Sequence, residues 1–182
     1  MTNPAVINGA RLLSWARRAA RLLEAHREEI NSLNVFPVPD SDTGSNMAHT
    51  MSAAVEQAET LDSAASCADI ASALAVGSIK GARGNSGVVL SQVLRGVAQA
   101  AAEGDLDSES VADALTNAVS YVERAINEPV EGTIVTVLRH AAEAGRGALD
   151  ASSDSALAHV TAAAVDAAEE ALEQTPSQLA EL

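Results

Sequence analysis

The chain has 182 residues, 47% of them hydrophobic and 20% charged, which is enough apolar matter for one folded core and excludes a disordered polymer. Its net charge of −14, from 25 acidic and 11 basic residues, argues against general binding to nucleic acid or an anionic membrane, and ties any phosphate-binding role to divalent cations and helix N-termini. One Trp, one Tyr and one Phe among many Ala, Leu and Val leave a core of small-residue helices in close approach, so the predicted class is all-α.

The segment after Met1 has neither a long apolar run nor a signal-peptide pattern, so the expected location is cytoplasmic, with no integral membrane segment. Leu12, Ala16, Ala19, Leu23, His26, Ile30 and Leu33 recur at spacings of three and four and predict one long first helix, with His26 as a core or boundary residue. Arg11, Arg17, Arg18, Arg21 and Arg27 also fall there; pairing with Glu24 and Glu28 on a solvated face explains them more simply than an acidic partner.

A second helix is expected from near Ser45 or Asn46 to about Gln57, and a third from roughly Ser66 to Lys80, where the single cysteine, Cys67, reads as a small buried residue. Val89, Val93, Val97 and Ala100 mark a fourth helix from Ser86, stopped by Gly104. Val111 to Ile126 carry a fifth, ended before Pro129; Ile134 to Leu149 carry a sixth; Leu157 to Leu172 carry a seventh, broken before Pro176. Short connections predict antiparallel neighbours in a bundle or barrel of about seven to eight helices.

The first junction, Asn34 to Met47 (NVFPVPDSDTGSNM), carries the most chemistry. Pro37 and Pro39 fix their own φ, remove two backbone donors and press Phe36 and Val38 toward extended backbone, so the loop is shaped before a ligand arrives. Asp40 and Asp42, one residue apart in such backbone, can converge on one hard cation, and Thr43, Gly44, Ser45 and Asn46 follow with hydroxyls, a free backbone and an amide. That set suits Mg²⁺ carrying phosphates. An EF-hand is excluded, because the sixth and twelfth positions from Asp40 are Ser45 and Met51. The alternative is a surface turn in which Asp42 caps the next helix.

A second junction, Gly81 to Gly87 (GARGNSG), has no Lys and is not a Walker loop. Because it leads into a helix, its N–H groups and the Ser86 hydroxyl can hold a phosphate at the positive end of the helix dipole. Gly84 and Gly87 permit close approach, and Asn85 can donate an amide hydrogen bond. Taken alone, it also reads as a plain turn capped by Asn85 or Ser86. In an antiparallel bundle alternate junctions share an end, so the Asp loop, the glycine loop and the Glu131-Gly132-Thr133 turn are expected together. The histidines are weaker candidates: His140 and His159 lie on helices far from these loops, and His49 reads as structural.

In these segments the chain strongly resembles the kinase domain of the fatty acid kinase A family, which is similar in fold to the nucleotide-binding L subunit of dihydroxyacetone kinase. The matching stretches are SLNVFPVPDSDTGSNM, GARGNSGVVLSQVLRG and PVEGTIVTVLRHAAEA, with a weaker match at EQTPSQL. The resemblance implies an antiparallel amphipathic helical barrel whose rim binds ATP through two Mg²⁺ ions. Asp40 and Asp42 would be metal ligands, with Asn34 near a further ligand position. Thr43, Gly44, Ser45, Asn46, Gly84, Asn85, Ser86 and Gly87 would surround the phosphates, and Thr133 would line the nucleotide site. Two positions depart from the family pattern: Ser41 stands where Gly is usual and Ser45 where Thr is common.

The implied reaction transfers the ATP γ-phosphoryl group to the carboxylate of a fatty acid held by a separate DegV-type binding protein, giving an acyl phosphate. Such an acceptor is already anionic and needs no general base. Arg83 is the candidate to stabilise the transferring group. The rivals are a kinase for a small hydroxy ketone such as dihydroxyacetone, and a non-catalytic Mg-nucleotide-binding module. The family continues past TPSQL with a Gly-rich stretch and one more barrel helix, so residues 1–182 are read as an excised N-terminal ATP-binding kinase domain, with a homodimer in the full-length protein as a further expectation.

Overall fold

The structure, a computed structural model, describes residues 6–126, 128–151 and 156–179. Among them are eight α-helices: α1 (Gly9–Ala25), α2 (Arg27–Ser32), α3 (Thr43–Ala58), α4 (Cys67–Gly81), α5 (Gly84–Ala100), α6 (Ser108–Ala125), α7 (Ile134–Asp150) and α8 (Leu157–Gln178). The class is all-α, as expected. Local chemistry sets several starts. Asn8 accepts from the Arg11 N–H, Asp107 accepts from Ser110, and Ser66 forms a reciprocal capping box with Asp69.

Three boundaries differ from the sequence reading. The first helix breaks at His26, whose backbone (φ −100°, ψ 10°) leaves helical geometry. His26 is exposed and pairs with Glu29 at 2.9 Å, so it belongs to the surface and not to the core stripe. The expected glycine loop is only Ala82 and Arg83, since α4 runs through Gly81 and α5 starts at Gly84. Helix α8 continues through Pro176 to Gln178. Proline there removes the N–H that would bond the Leu172 carbonyl, and the Thr175 hydroxyl donates to that carbonyl instead, at 2.8 Å.

Helices α3 to α8 pack in chain order, each on its successor, while α1 lies on α3 and α4, α2 on α3, and α5 also on α3. Short connections between neighbours make these pairs antiparallel. Leu12, Met51, Ile70, Leu74 and Leu94 centre the larger core cluster, and Val89, Val122 and Val135 centre a second. Burying each large aliphatic side chain contributes about 1.5–3 kcal/mol. Small residues set the spacing: at Gly96 a Cβ would stand 2.7 Å from the Ala114 carbonyl oxygen and the Ala118 nitrogen, so α5 and α6 touch backbone to backbone. Cys67 is buried, and burial pushes its thiol pKa up. Among the described residues no helix is long and apolar enough to cross a membrane.

Candidate functional site

The chain leaves α2 and crosses from Leu33 to Asp42 outside helical structure, with a cis peptide at Phe36–Pro37. Asn34 holds this loop from within. Its amide nitrogen donates to the Val38 carbonyl at 3.0 Å, and its Oδ1 accepts from the Asp42 N–H at 3.2 Å. Asn34, expected near a metal position, therefore has both ends of its amide engaged with the loop backbone. Ser41, at the usual glycine position, has φ 55° and so stands in the left-handed region.

Asp40 is exposed and Asp42 half-buried. Asp42 occupies the N-cap position of α3, yet its side chain makes no capping hydrogen bond. The turn reading needed that bond. Neither carboxylate has a hydrogen bond or ion pair among the described residues, so both are uncommitted where α3 presents its positive end.

The first turn of α3 is pinned by α2. A Cβ on buried Gly44 would collide with the Arg27 carbonyl oxygen, so Gly44 serves as the contact point between the two helices. Asn31 accepts from the Ser45 N–H and donates to the Ser45 hydroxyl, each at 3.0 Å. Thr43 is half-buried, and neither it nor Gly44 has a partner for its N–H among the described residues.

Helix α5 begins beside this turn. Gly84, with φ +60°, has its Cα face filled by the Asn46 side-chain amide, and a Cβ on Gly87 would meet the Thr50 Oγ1 at 2.5 Å. The Thr50 hydroxyl also donates to the Asn46 carbonyl at 2.7 Å and lies 3.4 Å from the Gly81 carbonyl. The starts of α3 and α5 are thus side by side. Arg83 holds the N-cap position of α5 without a side-chain cap, and neither Asn85 nor Ser86 caps it. Arg83 and Asn85 are exposed, Ser86 half-buried.

Thr133 caps α7, accepting from the Val135 N–H at 3.4 Å and donating to the Val130 carbonyl at 2.7 Å. Glu131 takes the Thr136 hydroxyl and the Arg139 guanidinium, each at 2.7 Å, and the Gly132 N–H donates to Thr136 at 3.0 Å. The Thr136 hydrogen bond, then Arg139, hold the Glu131 carboxyl below its ordinary pKa. Met47 of α3, Val89 of α5 and Ile134 of α7 line one apolar cavity of about 200 Å³, so the early turns of all three helices border the same space. Sequence reasoning missed Asn31, Thr50 and the Glu131–Thr136–Arg139 set. The spacing of Asn31 and Asn34, three apart at a helix end, was the available signal for the first. His49, His140 and His159 are exposed.

The sequence profile of the DAK2 domain matches residues 37–182. The chain belongs to the DAK2 domain family. Its relatives include an uncharacterized protein of Staphylococcus epidermidis, 35% identical over 179 residues, and one of Staphylococcus haemolyticus, 34% identical over 177. An uncharacterized Staphylococcus aureus protein is 35% identical over 177 residues. Each alignment covers 97% of this chain and 32% of the relative. The chain thus spans about a third of the length of the curated relatives it matches. As a DAK2 domain it is similar to the dihydroxyacetone kinase L subunit, a kinase-related module of nucleotide-binding type. Among the described residues no three His, Cys, Asp or Glu side chains gather to hold a metal ion. Asp42 stands at the N-cap of α3 and Asp40 two residues before it.

Proposed function

We propose that this DAK2 domain binds Mg·ATP at the rim formed by the starts of α3 and α5 and supplies the nucleotide for phosphoryl transfer to a fatty acid carboxylate. The fatty acid is held by a separate DegV-type binding protein, and the product is an acyl phosphate. Residues 1–182 act in this reading as one ATP-binding kinase domain. The observation that carries it is the pair of carboxylates Asp40 and Asp42, without a hydrogen bond or ion pair among the described residues, next to the start of α3, which adjoins the start of α5, neither helix being capped by its own N-cap side chain.

Asp40 and Asp42 are acceptor-only groups with no ion-pair partner among the described residues, which fits a hard divalent cation; two ions is the fuller form of the reading. Magnesium held there would offset phosphate charge in a chain of net charge −14. Two ligands from the protein suffice for Mg²⁺, which commonly keeps waters and substrate oxygens as its others. The N–H groups of Thr43 and Gly44 and those opening α5 are donors for phosphate oxygens. Gly84, Asn85, Ser86 and Gly87 border that anion, Asn46 lies between the two helix starts, and Thr133 faces the nucleotide from α7. Arg83, exposed at the N-cap of α5, is the group to meet the charge on the transferring phosphoryl. The acceptor carboxylate attacks as the anion it already is, so the site has no proton to remove.

Calorimetric titration of ATP into the chain tests the reading, with Mg²⁺, with EDTA and with Asp42→Ala. Saturable binding lost in both controls is expected. A folded chain that ignores Mg·ATP would sink it. Hydroxylamine trapping of acyl phosphate, with the acyl-loaded partner added, tests the acceptor, and phosphorylated dihydroxyacetone in its place would overturn that half.

A further inference from the structure

Four polar atoms at the α2–α3 junction are arranged so that only one assignment of their protons works. The Ser45 N–H can only donate, and it points to Asn31 at 3.0 Å, so the atom facing it is the Asn31 carbonyl oxygen. The Asn31 amide nitrogen then faces the Ser45 Oγ, at 3.0 Å, and an amide nitrogen can only donate. Ser45 Oγ must therefore accept. Its own proton is turned away from Asn31, and no acceptor for it exists among the described residues. The neighbouring Thr43 and Gly44 N–H groups are likewise unmatched donors.

We infer that Asn31 is a positioning residue that turns the Ser45 hydroxyl proton outward as a donor, favouring a ligand with a bare acceptor oxygen, such as a phosphoryl oxygen, at the start of α3. This deepens the nucleotide reading and rests on it for the identity of the ligand. Asn31 itself touches no ligand. Its effect passes through the direction of one O–H bond and through the fixed Ser45 N–H, which it withdraws from the donors a ligand can use. Asn34 does the parallel task on the loop backbone at Val38 and Asp42, so two carboxamides brace both flanks of the carboxylate pair.

The test is Asn31→Asp. A carboxylate still accepts from the Ser45 N–H, so the turn is kept, but it cannot donate, and it draws the Ser45 hydroxyl proton to itself. Binding of Mg·ATP should weaken about tenfold, the scale of a lost hydrogen bond to a charged group. In the Ser45→Ala background, where no hydroxyl remains to be turned, the same substitution should cost about twofold, the residue of added charge. An equal penalty for Asn31→Asp in both backgrounds overturns the inference. Hydrogen exchange of the Ser45 amide, read without nucleotide, should quicken about tenfold in Asn31→Ala, and unchanged exchange overturns the clamp itself. If the unmodified chain does not bind Mg·ATP, the nucleotide reading and the ligand named here both fall, whereas the exchange result judges Asn31 independently.

Discussion

The side-chain amide of Asn46, in the first turn of α3, fills the space where a Cβ on Gly84 would stand at the first turn of α5. This contact joins two motifs 38 positions apart in the chain into one rim. Gly84 is required twice over, by its φ of +60° and by Asn46. Gly84→Ala should cost about 1–3 kcal/mol in denaturant unfolding and should weaken Mg·ATP binding more than an equally destabilising core change such as Val122→Ala. Equal effects of the two on binding would separate the rim from the contact.

Ser41 carries a side chain in left-handed backbone, at φ 55°. Ser41→Gly removes that conflict and adds unfolded-state freedom, which partly offsets the gain, so stability should rise by up to about 1 kcal/mol. Urea unfolding measures it. A loss of stability would mean that the serine side chain supports the turn.

Asp40→Asn and Asp42→Asn should leave stability within about 1 kcal/mol, because neither carboxylate has a partner whose loss would be felt. Asp42→Asn keeps an N-cap residue type while giving up charge near the helix dipole. Thermal unfolding should therefore be nearly unmoved while nucleotide affinity collapses. Strong destabilisation by either variant would point to a structural role.

Glu131 gives the pH dependence. Its carboxyl is held below the ordinary value of 4.5 by Thr136 and then Arg139, so the fold favours the anion. That contribution is present above the ordinary carboxylate range and is lost as pH falls through the lowered value. The gap in thermal midpoint between the unmodified chain and Glu131→Gln should thus be small at neutral pH, given the group's exposure, and close as pH falls below the ordinary carboxylate range. A gap that widens with acid would reverse the sign argued here.

Thr175→Val preserves shape but leaves the Leu172 carbonyl, already without the Pro176 N–H, unbonded within the helix. A cost of about 1 kcal/mol is expected. Pro176→Ala should in turn blunt the effect of Thr175→Val, because alanine restores the backbone donor.

The helices were legible because apolar spacing survives translation into packing: Leu12, Ala16 and Val89 are buried as their periodicity required. The stripe failed at His26 and Leu33, both exposed, because periodicity records which residues share a face and not whether anything covers it. Pro176 failed for a related reason, since the bond it lacks is replaced by a neighbouring hydroxyl.

What the sequence by itself determined is the all-α class, the helix faces and the acidic loop, since propensity, period and proline restrictions act over a few residues. It also marked Asp40 and Asp42. Only the tertiary structure decided that Asn31 reaches across to Ser45, that Asn46 sits on Gly84, that Gly44 serves α2, and that Asp42 leaves its carboxylate free. Those outcomes depend on which backbone can approach which, a long-range condition of packing that no local pattern encodes.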